Sequence, residues 1–241
     1  MIQRMLAGGL IAGFAAGLLA ALLHFAFIQE LILLGEEYET GALVHFAGAG
    51  TAGAEVGHDH AAGEAAHDHG DGGAEGSPLG RNVLTVLFTG LTYAGYGLLL
   101  IAGFALANQL GQEVGPRDGL LWGIAGYAAF QLAPAMGLPP ELPGSVAADI
   151  TDRQIWYFGT VIATGAALAL LAFGRGIVPA VVAGALLAAP HVIGAPHPDG
   201  YFGVAPPELA GEFAARALGV GFTAWVVLGW LAGRLWAKES V

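Results

Sequence analysis

The chain has 241 residues, 56% of them hydrophobic and only 11% charged, with a mean hydropathy of +0.66. A water-soluble domain usually carries about 25% charged residues, so a water-facing globule is excluded. The net charge is −11, the basic residues never cluster and Cys is absent. Those features exclude a nucleic-acid surface, disulfides and thiolate metal sites. Gly occupies 40 positions without a G-X-Y period, which excludes collagen and leaves Gly-rich helices in lipid.

A hydrocarbon core about 30 Å thick needs about 20 apolar residues per helix. Six stretches meet or approach that length: residues 6–28, 83–107, 120–136, 155–173, 177–193 and 213–232. The expected fold is an all-α integral membrane protein, one membrane domain over residues 1–241 with about six transmembrane helices. The third and fifth stretches are short and carry Pro134, Pro179 and Pro190, so one could be broken or re-entrant and a five-span count stays open. Arg4 precedes the first stretch, but its apolar run exceeds a signal-peptide core and no small-x-small cleavage pattern follows before Glu30. It reads as a retained helix. Gly9, Gly13 and Gly17 recur every fourth residue, laying a smooth stripe for close helix contact. Trp122, Trp156, Trp225, Trp230 and Trp236 fall mostly near span ends, as interfacial aromatics do.

Six spans with a cytoplasmic N-terminus put Arg4, Arg117, Arg175, Arg234 and Lys238 inside. Only Arg81, Arg153 and Arg216 then lie outside, the direction of the positive-inside bias in a cell or inner membrane. Every acidic residue except Glu113, Asp118 and Glu239 falls outside, as do all the His. An internal echo favours an even number of crossings. Pro139-Pro140-Glu141-Leu142-Pro143-Gly144 resembles Pro206-Pro207-Glu208-Leu209-Ala210-Gly211, each preceded by Ala-Pro. Related segments facing one compartment require paired crossings between them, as in repeated helical hairpins. Pro-Pro followed by an acid is also an ordinary helix start, so the echo reads either way.

The longest loop runs from Glu30 to about Arg81. Its middle, residues 51–78, is Gly/Ala-rich and acidic and reads as a flexible outer segment. It contains His58-Asp59-His60 and His67-Asp68-His69. Paired imidazoles with an intervening carboxylate suit cobalt, nickel, zinc or Cu(II) rather than Mg or Ca, and protons should compete in acid. The bland alternative is a solvated acidic linker. Nearer the helices, His24 and His191 lie toward outer span ends, followed by His197 and Asp199, with Glu141 and Glu208 as further candidates. Ionisable groups beside apolar spans are costly and often mark a substrate path, though a lone His can simply hydrogen-bond a neighbour. Walker A, H-E-x-x-H and G-x-S-x-G sequences are absent, so the motifs of an ATPase, a zinc protease or a serine hydrolase are missing.

In combination these segments resemble CbtA, a family of predicted cobalt transporter subunits, over nearly the whole chain. The resemblance rests on the Gly-rich first span ending in His24, Leu132-Ala133-Pro134 through Gly144, and Asp152-Arg153-Gln154-Ile155-Trp156-Tyr157. Pro190-His191 through Ala195-Pro196-His197-Pro198 and Pro206-Pro207-Glu208-Leu209 complete it. It implies a membrane protein for cobalt uptake, linked to cobalamin biosynthesis, with a small single-span His-bearing companion. Family descriptions give five spans against the six counted here. No ligand residue carries over from the family. The residues themselves support a divalent-metal permease with lipid and a metal cation as partners and no prosthetic group. A metal sensor or scaffold acting through a partner is the alternative. A haem protein ligated by His24 and His191 comes third.

Overall fold

Glycine spacing decides how the helices approach. The computed structural model describes residues 2–45, 77–200 and 202–239. Helix α1 (Ile2–Phe27) lies along α3 (Pro78–Gln109), and α4 (Pro116–Tyr127) lies along α8 (Pro207–Glu239). A Cβ on Gly13 would stand 2.5 Å from the Ala94 Cα, and one on Gly17 would stand 2.7 Å from the Gly90 Cα. The expected stripe is therefore the α1–α3 seam. A second seam pairs Gly119 with Gly233, 2.8 Å from such a Cβ to the Cα, and Gly229 with Gly123 at 2.6 Å. In lipid, where apolar burial between helices gains little, such backbone approach supplies the packing that holds helices together.

Among the described residues, four helices are long and apolar enough to cross a membrane: Gln3–Phe27, Pro78–Gln109, Ile150–Phe173 and Pro207–Lys238. Their outward surface is apolar, with Leu22, Leu87, Ile155 and Ile162 all more than half exposed. That inversion of a soluble protein's surface is what a lipid solvent demands. The third expected span is composite: α4 passes into a π turn (Ala128–Leu132) and then the short α5 (Ala133–Ala135). The fifth is α7 (Ile177–Ile193), apolar but 17 residues long. It forms a hairpin with α6 (Ile150–Phe173), turning at Gly176, whose φ of 88° suits glycine.

Three expectations need correction. The loop predicted to begin at Glu30 starts as a helix, α2 (Gln29–Glu39), which buries Leu31 and Gly35 one turn apart. Helices α3 and α8 start several residues before their apolar stretches. Pro78 and Pro207 occupy first helical positions, and the Ser77 hydroxyl accepts a 3.0 Å hydrogen bond from the Gly80 N–H. Trp225 and Trp236 are not interfacial, being 1% and 3% exposed. Trp225 clusters with Tyr96, at 4.6 Å between ring centroids, and with Phe130, stacked at 5.6 Å, and those two rings also meet at 5.2 Å. The bundle core sets these rings among small and aliphatic residues such as Ala12, Ala16, Leu100 and Ala224, the rings filling space beside the close helix seams.

The helices define two ends. One carries the chain's N-terminal residues and the α3–α4 and α6–α7 turns, and it holds Arg4, Arg117, Arg175, Arg234 and Lys238. The loop-bearing end holds Arg81, Arg153 and Arg216. Each of these pairs with a carboxylate: Glu36 at 3.0 Å, Glu141 at 2.8 Å, and Glu212.

Candidate functional site

At the loop-bearing end, two segments form a surface over the bundle. One follows α5 (136–149) and the other joins α7 to α8 (194–206). An isolated antiparallel bridge links Ser145 to Gly203. Gly144 makes the approach possible: its φ is 76°, and a Cβ there would stand 2.6 Å from the Val204 Cγ2. The two echoed motifs meet here, since Leu142 and Leu209 share a buried cluster with Ile28, Leu31 and Phe213. They therefore face one end of the molecule. Their local structures differ, however, because Pro207-Glu208 opens α8 while Pro139–Leu142 is non-helical.

Between the segments lies a cleft of about 510 Å³. Asp149 and Asp152 line it from the α6 side, His197 and Asp199 from the α7–α8 loop, and Phe202 adds an apolar wall. Asp149 is held by helix geometry: as the N-cap of α6 it accepts from the Thr151 N–H at 2.8 Å and the Asp152 N–H at 3.4 Å. Those two N–H groups hold its carboxyl below the ordinary aspartate value, so the anion persists into acid. Asp149 and Asp152 were not among the sequence candidates. The signal was present in Asp149-Ile150-Thr151-Asp152, an N-cap pattern that places two carboxylates within one turn.

The other candidates are dispersed. His24 is half-buried on α1, edge-on to Phe25 at 5.7 Å, and α1 packs against α2, α3 and α8. His191 is on α7, which packs against α6, and its ring stands edge-on to Trp156 at 6.1 Å. The Trp156 indole N–H donates to the Pro190 carbonyl at 3.1 Å, so this contact ties the hairpin together. Glu141 is engaged by Arg153, and Glu208 is exposed in the first turn of α8. His58, His60, His67 and His69 lie outside the described residues, as does most of the 51–78 segment. Among the described residues, no three His, Asp or Glu side chains gather closely enough to hold a metal ion by themselves. The cleft is an open, acidic cavity rather than a closed coordination cage.

A family model described as probable cobalt transporter subunit, CbtA, matches residues 2–237. The chain belongs to the CbtA family. No curated protein and no solved structure matches it. Membership makes this CbtA protein a subunit of a cobalt transporter, and its apolar helices make it a membrane protein. That membership fits a metal ion as substrate.

Proposed function

We propose that this CbtA chain is the permease subunit that takes up a divalent transition-metal cation, cobalt, from outside the cell or inner membrane. In this reading, α7 and the composite α4–π–α5 run complete six crossings, with both termini in the cytoplasm. The basic end then faces inward, as the positive-inside bias requires. The cleft carries the proposal: Asp149, Asp152, His197 and Asp199, drawn from two segments, converge on one solvent-open cavity.

The His-Asp-His loop, with His58, His60, His67 and His69, gathers cations by charge and imidazole affinity and raises their concentration at that cavity. The cleft receives them, with His24 and His191 further candidates at the outer helix ends. Transfer inward is driven by the membrane potential, about 2.3 kcal/mol per charge per 100 mV, so about 4.6 for a divalent ion. A small single-span His-bearing protein is the proposed partner. A sensor or scaffold acting through such a partner is the second reading, favoured by the scarcity of charged groups inside the bundle.

The deciding experiment is uptake of labelled cobalt by proteoliposomes containing this chain, with and without an inside-negative potential. Potential-driven uptake that falls when Asp152 and Asp199 are both changed to Asn supports the permease. Cobalt binding without flux, restored to flux only by a partner protein, assigns the scaffold role.

A further inference from the structure

Pro134 lies in the composite helix, where its missing N–H disrupts the backbone pattern. The Ala133 N–H reaches back to the Ala128 carbonyl, which makes the π turn. The carbonyls of Ala129 and Phe130 thereby lose their usual helical donors. Phe130 recovers one from the Tyr157 hydroxyl at 2.9 Å. Turns of this kind are frequent at functional sites, and in a membrane irregular backbone is tolerated only where protein or a water-filled path satisfies it.

The π turn also carries Gln131, which reaches across the bundle. Gln131 faces Tyr93 of α3, a residue 6% exposed near the middle of that helix. Its Oε1 is buried and has no hydrogen-bond partner. The amide occupies the notch left by Gly221 of α8, where any side chain would collide with it. A polar amide buried inside the bundle at a helix irregularity, with an unpaired oxygen, is costly to keep, and polar groups at membrane depth mark substrate paths.

We propose that the Gln131–Tyr93 pair is the intramembrane station over which the cation passes after it leaves the outer cleft. The inference rests on the permease reading and locates its path. Neutral amide and hydroxyl oxygens hold a partly hydrated divalent cation loosely, as conduction requires: attractive enough to enter, weak enough to leave. Carboxylate or imidazole at this depth would retain it.

The test is Co2+ flux into energised proteoliposomes, together with equilibrium Co2+ binding to the purified full chain. Gln131→Leu and Tyr93→Phe should each slow uptake by about tenfold or more, the scale of one lost polar contact to a charged species. Binding at the outer cleft should stay unchanged. Gln131→Glu, which keeps the side-chain shape, should instead tighten Co2+ retention and slow its release. Wild-type flux through Gln131→Leu, or Gln131→Glu with both flux and binding unaltered, overturns the station while leaving the permease standing. A wild-type chain that moves no Co2+ under any potential overturns both. If Gln131→Leu fails to fold, Gln131→Glu decides alone.

Discussion

The Tyr157 hydroxyl donates to the Phe130 carbonyl at 2.9 Å, a bond that exists because Pro134 offers that carbonyl no N–H. One residue thus breaks the helix and another, on α6, repairs it. Replacing Tyr157 with Phe should leave the carbonyl without this donor. Hydrogen bonds between membrane helices contribute about 0.6 kcal/mol on average and up to about 1.7, so a small drop in melting temperature in detergent is expected. The sharper measurement is a double-mutant cycle. In a Pro134→Ala background the backbone N–H returns, and Tyr157→Phe should then cost less. Equal cost in both backgrounds would break the link between the proline and the tyrosine.

The glycine seams make opposite predictions for residues of the same type. Gly17 and Gly123 face partner backbone, and a Cβ at Gly17 would stand 2.7 Å from the Gly90 Cα. Gly17→Val or Gly123→Val should part the helices and destabilise by about 1–3 kcal/mol or more. Around Gly165 and Gly184 nothing lies within 4 Å of an added Cβ, so Ala should be tolerated there and gain about 0.5–1 kcal/mol in helix preference. Thermal melting of the four variants, read alongside size-exclusion profiles, checks both halves.

Period-four glycine in α1 was legible because it is a pattern within one segment. The partner seam was equally visible as Gly119 with Gly123 and Gly229 with Gly233, but nothing in one sequence says that those two pairs meet. Helix α2 was hidden by its charges: Glu30, Glu36, Glu37 and Glu39 read as loop, while burial of Leu31 and Gly35 against Leu142 and Pro143 needs a partner distant in the chain. Trp225 reads as interfacial from its place in the sequence because an amphipathic ring suits either an interface or a stacked core, and only its neighbours decide. Pro134 reads as an interruption from the sequence alone, yet its resolution as a π turn involves Tyr157, distant in the chain. In the cleft, His197 and Asp199 stood out as ionisable residues beside prolines. Asp149 and Asp152 look like ordinary helix-start residues until the opposite loop faces them.

Asp149 gives a pH prediction with a definite sign. Its folded carboxyl is held below the unfolded value of about 3.9 by the Thr151 and Asp152 N–H groups. The stabilisation is therefore fully present above about pH 4 and is lost as pH falls through the folded value. Asp149→Asn keeps a capping oxygen but does not titrate. Across that acid window the melting temperature of the wild type should fall more steeply than that of Asp149→Asn. Parallel curves would mean that the cap contributes nothing to the acid transition.

Arg153 bears on the cleft from the other sign of charge. It donates to Glu141 at 2.8 Å, with both side chains about one-third exposed, and it follows Asp152, which lines the cleft. Such a partly exposed pair contributes at most about 1 kcal/mol to stability, so Arg153→Gln should fold normally. Its electrostatic effect should be larger than its structural one. Removing the cation frees the Glu141 carboxylate and deletes a positive charge beside an acidic cavity, so cobalt binding to the purified protein should tighten by a few-fold at low salt. Screening shortens the reach of that charge to about 3 Å at 1 M salt, so the gain should vanish there. Titrating wild type and Arg153→Gln with Co2+ at both ionic strengths separates the outcomes. A gain that survives high salt points to Glu141 as a direct ligand, and no gain at low salt removes the cleft from the cation's route.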